Sequence, residues 1–130
     1  MSRIKIAIVG VGICASSLVQ GLTYYKDIKN DKKVVGLMHT VLGGYKISDI
    51  EVVAAFDVNK TKVGKDLAEA IYAKPNNTYV FAKVKKTGVS VKNVPTYDGI
   101  GEYLKDVVEI SKNSYSDPVK VLKESGAQIL

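Results

Sequence analysis

The chain has 130 residues, of which 46% are hydrophobic and 25% charged, with a mean hydropathy of +0.04 and a formal charge of +6. That length predicts at most one ordinary domain; no apolar run reaches the roughly 18 residues of a membrane span, no signal peptide is read at the start, and one cysteine excludes an internal disulfide framework and fits a reducing cytoplasm. The charge does not mark a nucleic-acid reader: Arg3 is the only arginine among 19 basic residues, and the lysines scatter from Lys5 to Lys123 in blocks no longer than two, whereas phosphate and base recognition favours the planar arginine fork.

Residues 4–9, Ile-Lys-Ile-Ala-Ile-Val, predict a short buried parallel strand ending at Gly10. A helix is expected from Cys14, with Ala15, Leu18, Leu22 and Tyr25 forming one apolar stripe, before the charged stretch KDIKNDKK, which reads as a surface loop. Residues 34–49 have no sustained period and are punctuated by Gly36, Gly43 and Gly44. Residues 50–58 form a second buried strand through Asp57, followed by a helix from about Lys60 to Ala73 on Val63, Leu67, Ala70 and Ile71, closed by Pro75. YVFAKV and VSVKNV around KKTG predict two short strands in a hairpin, and a further helix is expected from Gly99 to Ser111 on Ile100, Tyr103, Leu104, Val107 and Val108. A last helix is punctuated by Asp117, Pro118 and Gly126, after which AQIL begins to read as a strand. Alternating strand and helix predict an α/β, Rossmann-like fold with an incomplete parallel sheet, two strands and a stub, over residues 1–130.

The first crossover carries a glycine turn. Gly10, Gly12 and Ala15 match G-x-G-x-x-[G/A], a pattern in which the first glycine permits the turn, the second lets backbone approach a pyrophosphate, and the small third residue lets helix pack on strand. The helix start then presents unpaired N–H groups to phosphate. The acid that would hold the ribose normally follows about 20 residues later. Here it is Asp57, 47 positions after Gly10, at the end of the second strand and beyond an insertion at residues 26–49. A β-α-β unit places that strand end beside the first turn, so the acid is displaced in sequence and not in space. A carboxylate there would accept from ribose hydroxyls and repel a 2′-phosphate, favouring NAD over NADP. The competing reading is a plain strand–turn–helix with Asp57 as a helix cap.

Other candidates carry less. Cys14 stands at a helix start with no base nearby in sequence and reads as a small residue packed beneath the turn. His39 is the only histidine and reads as a loop residue, so no histidine metal cluster is expected; Asp49, Glu51 and Asp57 are too loosely spaced for a metal site. LGGYK fits a second phosphate-facing loop or a plain turn equally well. The Asn-Asn-Thr run at 76–78 is explained by turn chemistry, in a place that would border the nucleotide. Tyr24 and Tyr25 read as helix packing.

Taken together, IAIVGVGxCASSLVQGLxYYKD, GLMHTVLGGYKISDIEVVAAFDVxKxKVGKDLxEAI, NNTY and PTxDGIGxYL resemble inositol-3-phosphate synthase, also called myo-inositol-1-phosphate synthase, of the archaeal and bacterial branch, in order and including the insertion. The resemblance implies an NAD-binding Rossmann-like domain and a cytoplasmic, tetrameric isomerase of inositol and phospholipid biosynthesis. Glucose 6-phosphate would be oxidised with NAD, closed by an intramolecular aldol step and reduced with the same cofactor. Some members also need a divalent cation. It implies that Gly10, Val11, Gly12, Ile13 and Cys14 surround the pyrophosphate, that Asp57 holds the ribose, and that Asp66 is a further acid associated with NAD. The family has Asn where this chain has Ile13, an amide that could bond the cofactor where Ile cannot. Family members are also much longer, with catalytic lysines, sugar-phosphate pocket and tetramer sheet beyond the equivalent of Leu130. The chain therefore reads as an N-terminal portion with no catalytic residue of its own and no activity alone. The alternatives are a non-enzymatic NAD-binding or assembly module, or a truncated product without independent function.

Overall fold

The computed structural model describes residues 3–29 and 33–130, so residues 30–32 of the charged loop lie outside the described residues. Strand β1 (Ile4–Val9) leads through the glycine turn into helix α1 (Ile13–Tyr24). A two-stranded hairpin of β2 (Val41–Leu42) and β3 (Tyr45–Lys46) follows, then a 3-10 turn at Ile47–Asp49 and strand β4 (Ile50–Asp57). Helix α2 (Leu67–Ala70), strand β5 (Val91–Asn93) and helix α3 (Pro118–Ser125) complete the elements. The main sheet is parallel, in the order β1-β4-β5. On the outer edge of β1, Ile129 forms a parallel bridge to Ile6, its carbonyl accepting from the Ala7 amide at 2.8 Å.

Both faces of the sheet are covered, as a parallel sheet requires. On one face Ile8, Ala55 and Val91 pack with Val11, Ala15 and Val19 of the turn and α1, and with Leu67, Ala70 and Ile71 around α2. On the other, Ala7, Ala54, Phe56 and Val94 meet Val121 and Leu122 of α3. Helix α3 starts and stops where its sequence punctuation predicts: the Asp117 carboxylate accepts from the Val119 and Lys120 amides, and Gly126 ends it at a left-handed φ of 67°.

Four expectations are corrected. The helix predicted at 60–73 is helical only at Leu67–Ala70, because Gly64 takes φ +83° and Asp66 caps a fresh start at the Ala68 amide. The helix predicted at 99–111 is a series of turns. Its apolar stripe finds nothing to bury against, Tyr103 being 91% and Val107 57% exposed, and helices in proteins are held mainly by packing of such a stripe. The predicted hairpin is absent: Val91–Asn93 joins β4 in parallel as a third strand, and residues 79–84 are not a strand. Their amides have side-chain partners instead, since Gln20 Oε1 accepts from the Phe81 and Ala82 amides at 2.9 and 3.3 Å. Helix α1 also buries a different face from the predicted one. Its buried residues are Ala15, Ser16, Val19 and Gln20, and Leu18 of the predicted stripe is exposed.

Candidate functional site

The register of β1 on β4 sets Val9 opposite Phe56, and the Gly10 amide donates to the Phe56 carbonyl at 2.9 Å. The glycine turn therefore lies against Asp57. The Val11 amide donates to Asp57 Oδ2 at 2.7 Å, while Oδ1 accepts from the Val58 and Asn59 amides at 2.8 and 2.7 Å. The displaced acid and the turn meet as the β-α-β reading expects. Asp57 also organises the turn that follows it, through the Val58 and Asn59 amides, but it caps no helix, since the next helix starts at Leu67 and is capped by Asp66. A carboxylate has about four lone-pair positions; three take backbone donors here, and Asp57 also lines a cleft.

That cleft, of about 260 Å³, is bounded by Gly10, Asp57, Val94, Pro95, Tyr97 and Leu122 among others. It sits where the chain leaves β1 toward β4 on one side and returns with Ile129 on the other. Such a switch point, at the carboxyl ends of parallel strands, is where open α/β sheets form crevices for ligands. Gly10 has φ +88° and is needed for the turn. Gly12 has an ordinary φ of −88°, and a Cβ built on it would meet nothing within 4 Å. Neither backbone strain nor internal packing calls for glycine there, and the space above the turn is open. Gly12 also caps α1 without a side-chain acceptor, so the first-turn N–H groups remain for solvent or ligand.

The other predicted residues divide. Ile13, 52% exposed, points away from the core at the start of α1. Cys14 is exposed and does not pack beneath the turn as expected, because the first buried positions of α1 are Ala15 and Ser16. Asp66 is not part of this cluster. Its carboxylate accepts from the Ala68, Thr87 and Gly88 amides at 2.9, 3.0 and 2.7 Å and from the Thr87 hydroxyl at 2.9 Å, clasping α2 to the turn before β5. Burial opposes its ionisation, but those hydrogen bonds outweigh it and hold its carboxyl below the usual range. Gly43 and Gly44 make a two-residue hairpin turn between β2 and β3, with φ of 57° and 84°. His39 is an exposed loop residue.

Sequence reasoning missed Lys62. It is 4% exposed, and its ammonium donates to Asn76 Oδ1 at 2.9 Å. Burial lowers its pKa and the negative charge of Asp57 opposes that fall. Asn76, noted only as turn chemistry, donates to the carbonyls of Val11 and Ile71 at 3.1 and 3.0 Å. The Asn-Asn-Thr run carried a signal for this place; a lysine in a lysine-rich stretch carried none. Among the described residues no three His, Cys, Asp or Glu side chains gather as for a metal, and no helix is long and apolar enough to cross a membrane.

Fold and site together define a parallel α/β protein in which a glycine turn at the switch point is braced by a strand-end carboxylate. Over nearly its whole length the chain is similar to inositol-3-phosphate synthases. It is 52% identical over 128 residues to that of Mycolicibacterium smegmatis, covering 98% of this chain and 35% of that protein. It is 48% identical over 129 residues to that of Mycobacterium tuberculosis and 44% identical over 129 residues to that of Corynebacterium glutamicum. The chain thus spans about a third of the length of the curated relatives it matches. Among solved structures, that of Ari2 matches with a TM-score of 0.71 and 28% identity over 98% of this chain and 37% of that one. A myo-inositol-1-phosphate synthase-related protein from Thermotoga maritima shares the fold, with a TM-score of 0.63 and 19% identity over 98% of this chain and 33% of that one. No family model matches. The resemblance read from the sequence is borne out.

Proposed function

We propose that this chain is the NAD-binding portion of an inositol-3-phosphate synthase, an isomerase that converts glucose 6-phosphate to inositol 3-phosphate. The observation that carries the reading is the Asp57 carboxylate locked to the glycine turn through the Val11 amide, beside open space over Gly12. In this account the amides following Gly12 meet the pyrophosphate, and Asp57 accepts a ribose hydroxyl on its remaining capacity and excludes a 2′-phosphate by charge. Bound NAD would supply reversible hydride acceptance for the oxidation and the later reduction. The chain's own residues bind and orient it: Val11 fixes the turn, Asp57 fixes the ribose, and the exposed Ile13 forms the rim where relatives by resemblance carry an amide. Asp66 has a structural task and is withdrawn from the cofactor contacts. Aldol chemistry, the glucose 6-phosphate pocket, any divalent cation and tetramer assembly belong to the whole cytoplasmic enzyme and are assigned to no residue here.

The test is calorimetric titration of NAD and NADP into the wild type and Gly12→Ala. Saturable NAD binding, weaker NADP binding, and a Gly12→Ala variant that loses no more than the roughly 1 kcal/mol of an N-cap change but loses NAD is the expected pattern. A Gly12→Ala variant that binds NAD as the wild type does would remove the reading.

A further inference from the structure

Val11 is fully buried, and both of its main-chain groups are held by side chains from elsewhere in the chain. Its N–H goes to Asp57 from the end of β4, and its carbonyl takes the Asn76 amide from the loop after α2. Two residues further, the Ile13 carbonyl accepts from the Thr78 hydroxyl at 3.2 Å. The glycine turn is therefore gripped on both sides, and the orientation of Asn76 decides whether the second grip holds. A carboxamide has a donor end and an acceptor end. On one side of Asn76 stand the acceptor-only carbonyls of Val11 and Ile71; on the other stands the donor-only ammonium of Lys62. Only one orientation serves both.

Lys62 is a costly way to achieve this. Lysine is rarely buried without a paired charge, and among the described residues Lys62 has no carboxylate within ion-pair distance. Asp57 acts on it only through space. A methionine of similar length would fill the same volume without a desolvated charge. The cost is explained if the ammonium has a task at the turn.

We propose that Lys62 and Asn76 are positioning residues for the cofactor turn: the buried ammonium locks the Asn76 amide, which with Asp57 holds Val11 from both sides and presets the amides that follow Gly12. The proposal rests on the NAD reading above and extends it to residues that touch no cofactor themselves. Preset donors spare a ligand the ordering cost of the loop that binds it.

The test compares Lys62→Met, Asn76→Leu, the double variant and Ile71→Val in the intact chain, reading NAD affinity by calorimetry beside thermal stability. Lys62→Met removes a desolvated charge and keeps the stem, so it is the variant that folds if Asn76→Leu does not. Each of the two single variants is expected to weaken NAD about tenfold, and the double variant no more than the worse single one, because both act through one bridge. Ile71→Val, which thins the core under the same loop, should lower stability while moving affinity by less than about twofold. Lys62 and Asn76 variants that lose stability but keep NAD affinity, or whose losses add in full, would overturn the proposal. Should the wild type bind no NAD, the cofactor reading fails by itself. The grip is then judged by amide hydrogen exchange at Val11–Ile13. Faster exchange in Lys62→Met but not in Ile71→Val upholds it; unchanged exchange refutes it.

Discussion

Asp57→Asn isolates the contact on which the site is built. The carboxylate offers Oδ2 to the Val11 amide and Oδ1 to the Val58 and Asn59 amides. An amide of the same shape can accept on one edge only. If its oxygen serves Val58 and Asn59, its NH2 faces the Val11 N–H, donor against donor; turned over, it opposes the other pair. The better choice still loses the Val11 bond and makes the retained ones neutral. Hydrogen bonds to charged groups contribute about 1.5–3 kcal/mol and neutral ones about 0.5–1.5. The site is only partly buried, so water recovers some of the loss, and a net cost of about 2 kcal/mol follows. For a chain of this size that lowers the unfolding midpoint by roughly 6–8 °C. Urea unfolding followed by far-UV circular dichroism measures it, with the denaturant slope held common to both proteins. A midpoint unchanged, or a cost under about 0.5 kcal/mol, would show that the carboxylate does not brace the turn.

Gln20→Met keeps the volume of a fully buried side chain but leaves the Phe81 and Ala82 amides and the Tyr79 carbonyl without their partner; equilibrium unfolding should show a loss of about 2–4 kcal/mol. Asp66, whose pKa is lowered on folding, contributes stability that is complete above its unfolded value near 3.8 and disappears as pH falls through the lower folded value. Stability curves of wild type and Asp66→Asn should therefore lie apart at neutral pH and converge in acid, and curves parallel down to pH ~2 would contradict the clasp. Ile13→Asn should raise NAD affinity without changing stability, since Ile13 is exposed; calorimetry on the pair decides, and an unchanged isotherm removes Ile13 as the weak point of the turn.

What the sequence made legible follows from how local each signal is. The first strand, the turn, the start of α1 and the second long strand are each specified within a few residues, by β-branched runs, by glycine and by helical spacing. The caps of α3 are read as directly, because Asp117, Pro118 and Gly126 act on their own helix. Asp57 was found because a β-α-β crossover fixes where the second strand must end, however long the insertion. The failures are non-local. Residues 79–84 carry a strand-like pattern, yet a glutamine some 60 positions earlier takes two of their amides. Residues 99–111 have a helical stripe, but whether it finds a partner is a property of the rest of the molecule. The clasp made by Asp66 was not legible, because the turn it grips lies about 20 residues away. Lys62 was hidden by composition: in a chain with 19 basic residues, nothing in sequence separates a buried ammonium from a solvated one.

Where NAD binds is the most direct test of the site at the glycine turn. Amide chemical-shift mapping of the chain during NAD titration reads this directly, residue by residue. The account predicts saturable shifts concentrated at Gly10–Ala15 and Asp57–Asn59, with the same addition of NADP giving weaker ones. Shifts centred elsewhere, on the hairpin at Val41–Lys46 or around Asp66 and Thr87, or none at millimolar NAD, would contradict it.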